Sequence, residues 1–162
     1  MSAPARVTFP SGRTRTVYRM NMADVVTLAQ ATGAKDVAVR IGLDSDATSR
    51  TMRFLINAGL WGIVQSLPSS KSPAHNPKAI GAAHEIVIEI AGTQGGKLQT
   101  RRLTLLDRKG QAHLTAIGAA AAIERILGLD GPPLRPGIAT PETAPNATRL
   151  RELLQSEGVE AT

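Results

Sequence analysis

Ile86-Val87-Ile88-Glu89-Ile90 is followed by Thr93-Gln94-Gly95-Gly96 and then by the run Lys97–Asp107. The first run is rich in β-branched residues, which favour a strand, and the paired glycines are typical of a tight turn. Lys97–Asp107 is long enough to return as a second strand. This stretch therefore predicts an antiparallel hairpin, closed by Arg108-Lys109-Gly110.

A second hairpin is expected near the start of the chain. Val7–Phe9 and Thr14–Met20 are β-prone runs on either side of Pro10-Ser11-Gly12-Arg13, a typical turn sequence. Further on, Val37, Val39 and Ile41 alternate with smaller or polar residues, which predicts a half-buried strand.

Four segments have helical patterns, and each has a recognisable start or stop signal. The first is expected to be capped by Asn21 and ended by Gly33, and the second to be capped by Ser45 or Asp46. The third is expected to run from Ala112 to Leu127, and the fourth from Thr148 to Ser156 with Asn146 as its cap. The middle of the third helix, Ala116–Ile123, is small and apolar, which predicts burial on most sides. Ser66–Ala83, rich in Pro, Ser, Lys and Ala, is expected to be a long surface loop.

The order of these elements indicates the fold class. Hairpins occur at both ends of the strand set and outnumber βαβ crossovers, which favours an α+β domain. We expect a mostly antiparallel or mixed sheet with helices packed on one face, in a single domain spanning residues 1–162.

Composition excludes several kinds of chemistry. The 162 residues contain no cysteine, so disulfides, thiolate metal sites and cysteine nucleophiles are excluded. The three histidines are too scattered for a metal-site spacing, and we expect no metal. The sequence has neither a signal-peptide pattern nor an apolar run of about 18 residues, so we expect a cytoplasmic protein with no membrane partner.

The formal charge of +6 is unevenly distributed. Residues 1–19 carry four arginines and no acid, and Lys97–Lys109 form a second basic stretch. Nucleic-acid binding usually needs aromatic side chains or a basic recognition helix beside such a patch, and neither is evident. A surface that attracts anions or faces a partner is favoured over nucleic-acid binding.

Familiar catalytic and nucleotide-binding motifs are missing. Gly92-Thr93-Gln94-Gly95-Gly96 joins two expected strands and so provides no helix N-terminus for a pyrophosphate. No catalytic or cofactor-binding residue is therefore predicted. For substrate binding, Arg40 could form a bidentate pair with a carboxylate, while His113 and Thr115 begin a helix whose amides could hold an anion. A solvated arginine and simple helix capping are the alternatives.

Three passages together resemble the C-terminal region of saccharopine dehydrogenase-like proteins. The passages are Arg6–Pro10 with Val17-Tyr18, Asp24–Leu28 and Val37–Gly42; Val87–Gly92 with Gly95–Lys97 and Ala116–Leu127; and Pro136-Gly137-Ile138-Ala139-Thr140-Pro141-Glu142 with the leucine-rich helix that ends at Gly158-Val159. The three passages occur in the same order and with similar spacing over nearly the whole chain. The most specific motif is in the third passage.

The resemblance implies the substrate-binding and dimerisation lobe of an NAD(P)-dependent oxidoreductase of amino acid metabolism. In that family a Rossmann domain holds NAD(P), and the implied reaction is reductive condensation of an amino acid with a keto or aldehyde partner. We expect this chain to bind no cofactor itself, to form a homodimer, and to need a Rossmann partner, which is either a separate chain or the rest of a longer protein. By this resemblance the chain is part of an NAD(P)-dependent oxidoreductase and is expected to be inactive alone. The alternative is a stand-alone dimeric module that binds a protein or small molecule without catalysis.

Overall fold

A computed structural model describes residues 2–43, 45–66, 82–131, 137, 140, 142 and 146–162. These residues form two compact units. The first holds the described residues of Met1–Thr8 and Arg13–Ile80, and the second holds those of Phe9–Gly12 and Gly81–Thr162. Each unit contains a three-stranded antiparallel sheet accompanied by helices. The expected α+β class is confirmed, with two small sheets in place of one.

The sheet of the first unit has the order β1-β2-β3, with β1 at Ser2–Thr8, β2 at Thr14–Met20 and β3 at Val39–Ile41. β1 and β2 form the expected hairpin, with Thr8 opposite Thr14. The third strand is shorter than the alternating pattern predicted, because only Val39–Ile41 align with β2.

Three helices belong to the first unit: α1 at Asp24–Thr32, α2 at Asp46–Asn57 and α3 at Trp61–Ser66. Ser45 caps α2 as expected, because its side chain accepts a hydrogen bond from the Thr48 N–H at 3.1 Å. The expected cap at Asn21 is wrong. The residue that precedes α1 is Ala23, which forms no side-chain cap. A hydrogen bond from the Val25 N–H to the Met22 carbonyl closes the turn instead.

The core of the first unit centres on the middle of β2. Val17 and Tyr18 are each 3 % exposed, and α2 packs against this strand. Gly42 allows the chain after β3 to pass close to Val17, since a Cβ at this position would lie 2.9 Å from the Val17 Cγ1. Glycine is therefore required here by space.

The second unit is built on the long hairpin that the sequence predicts. β4 covers His84–Gln94 and β5 covers Lys97–Asp107, in register from His84 opposite Asp107 to Gln94 opposite Lys97. Gly95 and Gly96 have φ values of 58° and 77°, the left-handed conformations that a tight two-residue hairpin turn needs. The short strand β6, Glu160–Ala161, pairs with the end of β5.

Two helices complete the second unit: α4 at Gln111–Leu127 and α5 at Ala147–Ser156. Asn146 caps α5, as expected, by accepting a hydrogen bond from the Arg149 N–H. The expectation that α4 is buried on most sides is wrong. Only its Ile117 is buried within the described residues, because α4 packs mainly against α5 and β5, and Ile123 remains 56 % exposed.

Two features predicted from the sequence lie largely outside the described residues. They are the expected loop at Ser66–Ala83 and the Pro136–Glu142 motif. Within the described residues, every helix is too short or too polar to cross a lipid bilayer.

Candidate functional site

Four ionisable side chains of the second unit meet where β5 and α5 end and α4 begins. We call them the His113 cluster, and they are Asp107, Lys109, His113 and Glu157. Asp107 is the last residue of β5, and Lys109 lies in the turn that follows. His113 is in the first turn of α4, and Glu157 is the C-cap residue of α5. The fold therefore gathers residues that are far apart in sequence.

Asp107 is the buried anchor of the cluster, with a side chain only 2 % exposed. One carboxylate oxygen accepts a hydrogen bond from the Lys109 N–H at 2.9 Å. The other lies 2.8 Å from Nδ1 of His113. A proton on Nδ1 completes this second bond, which fixes the orientation of the imidazole ring.

The other ring nitrogen of His113 is also engaged. Nε2 lies 3.2 Å from the Glu157 Oε2 and 3.3 Å from the Lys109 Nζ, which is itself 3.4 Å from that carboxylate. Glu157 lies at a helix C-terminus, where the helix dipole disfavours an anion. The Lys109 ammonium compensates for this unfavourable position.

Hydrogen bonding sets the charge state of both carboxylates. Burial raises the pKa of Asp107, but the bonds from His113 and from the Lys109 N–H outweigh burial and leave that pKa below its ordinary value. Bonds from His113 and Lys109 also lower the pKa of Glu157. Both carboxylates are therefore anionic at neutral pH, and they lie on either side of the imidazole ring.

This geometry determines what His113 can do. A histidine that acts as a base, or that binds an anionic ligand, needs a ring nitrogen directed at that ligand. Here Nδ1 faces Asp107 and Nε2 faces Glu157, so the cluster joins β5, α4 and α5 through charge-assisted bonds. Substrate binding by His113 stays a prediction, and it requires an incoming carboxylate to displace Glu157.

Thr115 lies on a different side of α4 from His113, because residues two apart on a helix do not share a face. Its hydroxyl donates to the Gln111 carbonyl at 2.9 Å within the same helix. Thr115 is exposed, and its role in substrate binding also stays a prediction.

Arg40, the third expected site residue, belongs to the first unit. It is the central residue of β3, it is exposed, and it lies opposite Arg19 of β2. Arg19 donates to the Asp36 carboxylate at 3.3 Å and to the Val37 carbonyl at 3.1 Å. No described residue forms a hydrogen bond or an ion pair with the side chain of Arg40. Like charges on directly opposite residues destabilise a sheet, so an anion placed here would be stabilising.

The glycine-rich stretch Gly92–Gly96 does not fit a dinucleotide. It forms the end of β4 and the two-residue turn to β5, so the amides here belong to a hairpin and not to the first turn of a helix. The residues of this chain therefore provide no recognisable pyrophosphate cradle at this point.

The first unit also contains an open cavity of about 250 Å³ beside α2 and α3. It is lined by Ala47, Thr48, Thr51, Met52, Leu55 and Trp61. The lining has no charged side chain that could pair with the carboxylate or the ammonium of an amino-acid-like substrate. Among the described residues, no group of three or more His, Asp or Glu side chains has an arrangement that could hold a metal ion.

Sequence reasoning identified His113 but missed its partners. Asp107 had a local signal, since an aspartate three residues before a glycine N-cap readily accepts a backbone N–H in the intervening turn. Glu157 had none, because only the packing of α5 beside α4 brings it within reach of the imidazole.

Comparison of the chain with protein-family models, with curated proteins and with solved structures gives no match.

Proposed function

We propose that this chain is the substrate-binding and dimerisation lobe of a saccharopine dehydrogenase-like, NAD(P)-dependent oxidoreductase of the cytoplasm. In this proposal a Rossmann partner holds the cofactor, and the chain is inactive alone. The motif resemblance of the three sequence passages supports the proposal. The α+β fold with antiparallel sheets is compatible with it.

The observation that carries the substrate-binding part is the exposed Arg40 beside Arg19. An amino-acid-like substrate brings at least one carboxylate, and a guanidinium can hold a carboxylate through two parallel hydrogen bonds. Because Arg19 is already bonded to Asp36, Arg40 is the guanidinium with free donors. A bound carboxylate would also relieve the repulsion between the two arginines.

The test is titration calorimetry of saccharopine into the chain, compared with Arg40→Gln. A charge-assisted hydrogen bond contributes about 1.5–3 kcal/mol, so the variant is expected to bind ten- to a hundredfold more weakly. Arg13→Gln, an exposed arginine of the same unit, is the matched control and should bind normally. Absence of heat with the unmodified chain, with or without NADPH, contradicts the proposal.

A second function, a stand-alone dimeric module, is supported by apolar surface in the second unit. Exposed large hydrophobic side chains occur on β4, β5 and α4. They include Ile90, Leu98 and Ile126, which are 65 %, 80 % and 63 % exposed. Leu98 lies opposite Thr93 and therefore on the other face of the hairpin from Ile90, so exposed apolar side chains occur on both faces. Exposed apolar surface can mark an interaction site. A stable dimer that does not bind saccharopine would favour this function over the first.

A further inference from the structure

The outer edge of β4 is a long strand edge without a partner strand in the part of the chain that the structure describes. β4 has 11 residues and pairs with β5 on one side only. No described strand pairs with its other side. At about 3.4 Å per residue, the edge is about 37 Å long. Such an edge presents a row of free N–H and C=O groups that can pair with another strand.

One face of the β4–β5 hairpin is an apolar stripe. Ile86, Ile88 and Ile90 alternate along β4, so their side chains lie on the same face, and the register places Leu105 opposite Ile86 and Leu103 opposite Ile88. Ile88 and Leu103 are 39 % and 43 % exposed, and Ile90 is 65 % exposed. The stripe thus continues to the outer edge of β4, where the side chains of a further strand could extend it and pack beside it.

The sequence of β4 is suited to pairing with itself. When a two-fold axis relates two antiparallel strands, one residue lies on the axis opposite its own copy, and its neighbours pair symmetrically around it. With Ile88 on the axis, Ile86 lies opposite Ile90 of the other copy, so the isoleucines form one continuous ladder. Glu89 then lies opposite Val87, and Glu85 lies opposite Ala91.

The neighbouring registers are worse for a physical reason. With Val87 on the axis, Glu85 of each copy lies opposite Glu89 of the other. With Glu89 on the axis, two copies of that carboxylate face each other. Like charges on directly opposite residues are destabilising, whereas paired β-branched residues each contribute about 0.2–1 kcal/mol. The charges and the apolar pattern of β4 therefore both favour the register with Ile88 on the two-fold axis.

We propose that two copies of this chain pair through their β4 edges, antiparallel and with Ile88 on the two-fold axis. The pairing joins the sheets of the two copies into one continuous sheet of order β6-β5-β4-β4-β5-β6. The shared segment is Ile86–Ile90. Glu85 lies outside it, and its carboxylate accepts hydrogen bonds from the backbone N–H and the hydroxyl of Ser11 at 2.7 and 3.0 Å. The inference rests on the dimerisation part of the proposed function and specifies where that dimer forms.

A second copy is a better occupant of this edge than an unrelated strand. Only an identical strand is guaranteed to place three isoleucines opposite three isoleucines while keeping both glutamates away from like charges. The exposed residues of α4, such as Ile126 and Leu127, show no comparable pattern that would identify a partner. The dimer is therefore assigned to the strand edge.

Single cysteines test the register directly, because the chain has no cysteine of its own. Opposite residues of an antiparallel pair have Cβ atoms about 4.5–5.5 Å apart, close enough for a disulfide to form with a small adjustment. Ile88→Cys should therefore form a covalent dimer under mild oxidation, seen on a non-reducing gel. Ile86→Cys and Ile90→Cys should each remain monomeric on the gel but should crosslink when mixed.

Controls and a second readout keep the outcomes distinct. Val87→Cys and Glu89→Cys report the neighbouring registers, and faster crosslinking of either one than of Ile88→Cys overturns the proposal. In sedimentation equilibrium, Ile88→Lys should weaken the dimer at least tenfold because two ammonium groups would meet on the axis. Leu98→Lys, an equally drastic change at the exposed hairpin end of β5, should leave the dimer intact.

The remaining outcomes separate this inference from the proposed function. A dimer that crosslinks through none of these cysteines overturns the edge pairing and leaves dimerisation standing. A chain that stays monomeric at high concentration overturns both the pairing and the dimerisation part. Saccharopine titration is independent of both readouts, so substrate binding is judged separately.

Discussion

Replacing Asp107 by asparagine should weaken the second unit more than any conservative exchange at its surface. The change keeps the shape of the side chain but removes the charge that holds His113. The lost interaction is a charge-assisted hydrogen bond of 2.8 Å made by a side chain only 2 % exposed. Such bonds contribute about 1.5–3 kcal/mol, so the free energy of unfolding should fall by that amount at neutral pH.

The same substitution should change how stability depends on pH. Because the pKa of Asp107 is below its ordinary value in the folded chain, Asp107 contributes stability above pH about 4 and loses that contribution as the pH falls through its folded pKa. The Asp107→Asn variant cannot lose this contribution. The difference between the two proteins should therefore shrink steadily as the solution is acidified below pH about 4.

Urea unfolding followed by circular dichroism measures the change, and amide hydrogen exchange of α4 locates it in the second unit. Glu89→Gln is the matched control. Its carboxylate lies 3.7 Å from Arg102 and is 59 % exposed, so its loss should cost less than about 1 kcal/mol. An Asp107→Asn protein as stable as the original, or a loss no larger than that of Glu89→Gln, refutes the role assigned to the cluster.

Three further changes test other parts of the fold. Ser45→Ala removes the cap of α2 and should lower the free energy of unfolding in urea by about 1 kcal/mol, whereas Ser45→Gly should lower it by only a few tenths of a kcal/mol. Equal losses in the two variants would contradict the capping role. Gly42→Ala should lower the free energy of unfolding by about 1–3 kcal/mol because the new methyl group would lie 2.9 Å from the Val17 Cγ1. An unchanged stability would contradict the requirement for glycine at this position. Arg149→Met breaks two 2.7 Å bonds to Glu124 and should speed amide exchange in α5, an effect that unchanged exchange would disprove.

Local sequence signals predicted the two hairpins well. The isoleucine-rich run, the glycine pair and the return run defined β4, its turn and β5, because strand propensity and turn conformation are both set by nearby residues. Gly33 and Asn146 likewise marked a helix end and a helix start. Asn21 failed as a cap because backbone bonds already close the first turn of α1.

Tertiary arrangement was less accessible to sequence reasoning. The apolar middle of α4 suggested burial, but a helix buries only as much surface as its neighbours cover, and within the described chain most of α4 stays exposed. The His113 cluster depends on α5 lying beside α4, which no residue pattern encodes locally. The division into two units was not foreseen either, because the boundary between them falls within Ser66–Ala83, a stretch that was interpreted as a surface loop of one domain.

Substrate binding at Arg40 is the central claim, and heteronuclear NMR of the arginine Nε–H groups during a saccharopine titration tests it most directly. The Arg40 signal, assigned by its absence from Arg40→Gln, should move saturably, while the signal of the exposed Arg13 should not. A spectrum in which no arginine signal moves, or in which all of them drift together with ionic strength, contradicts the claim.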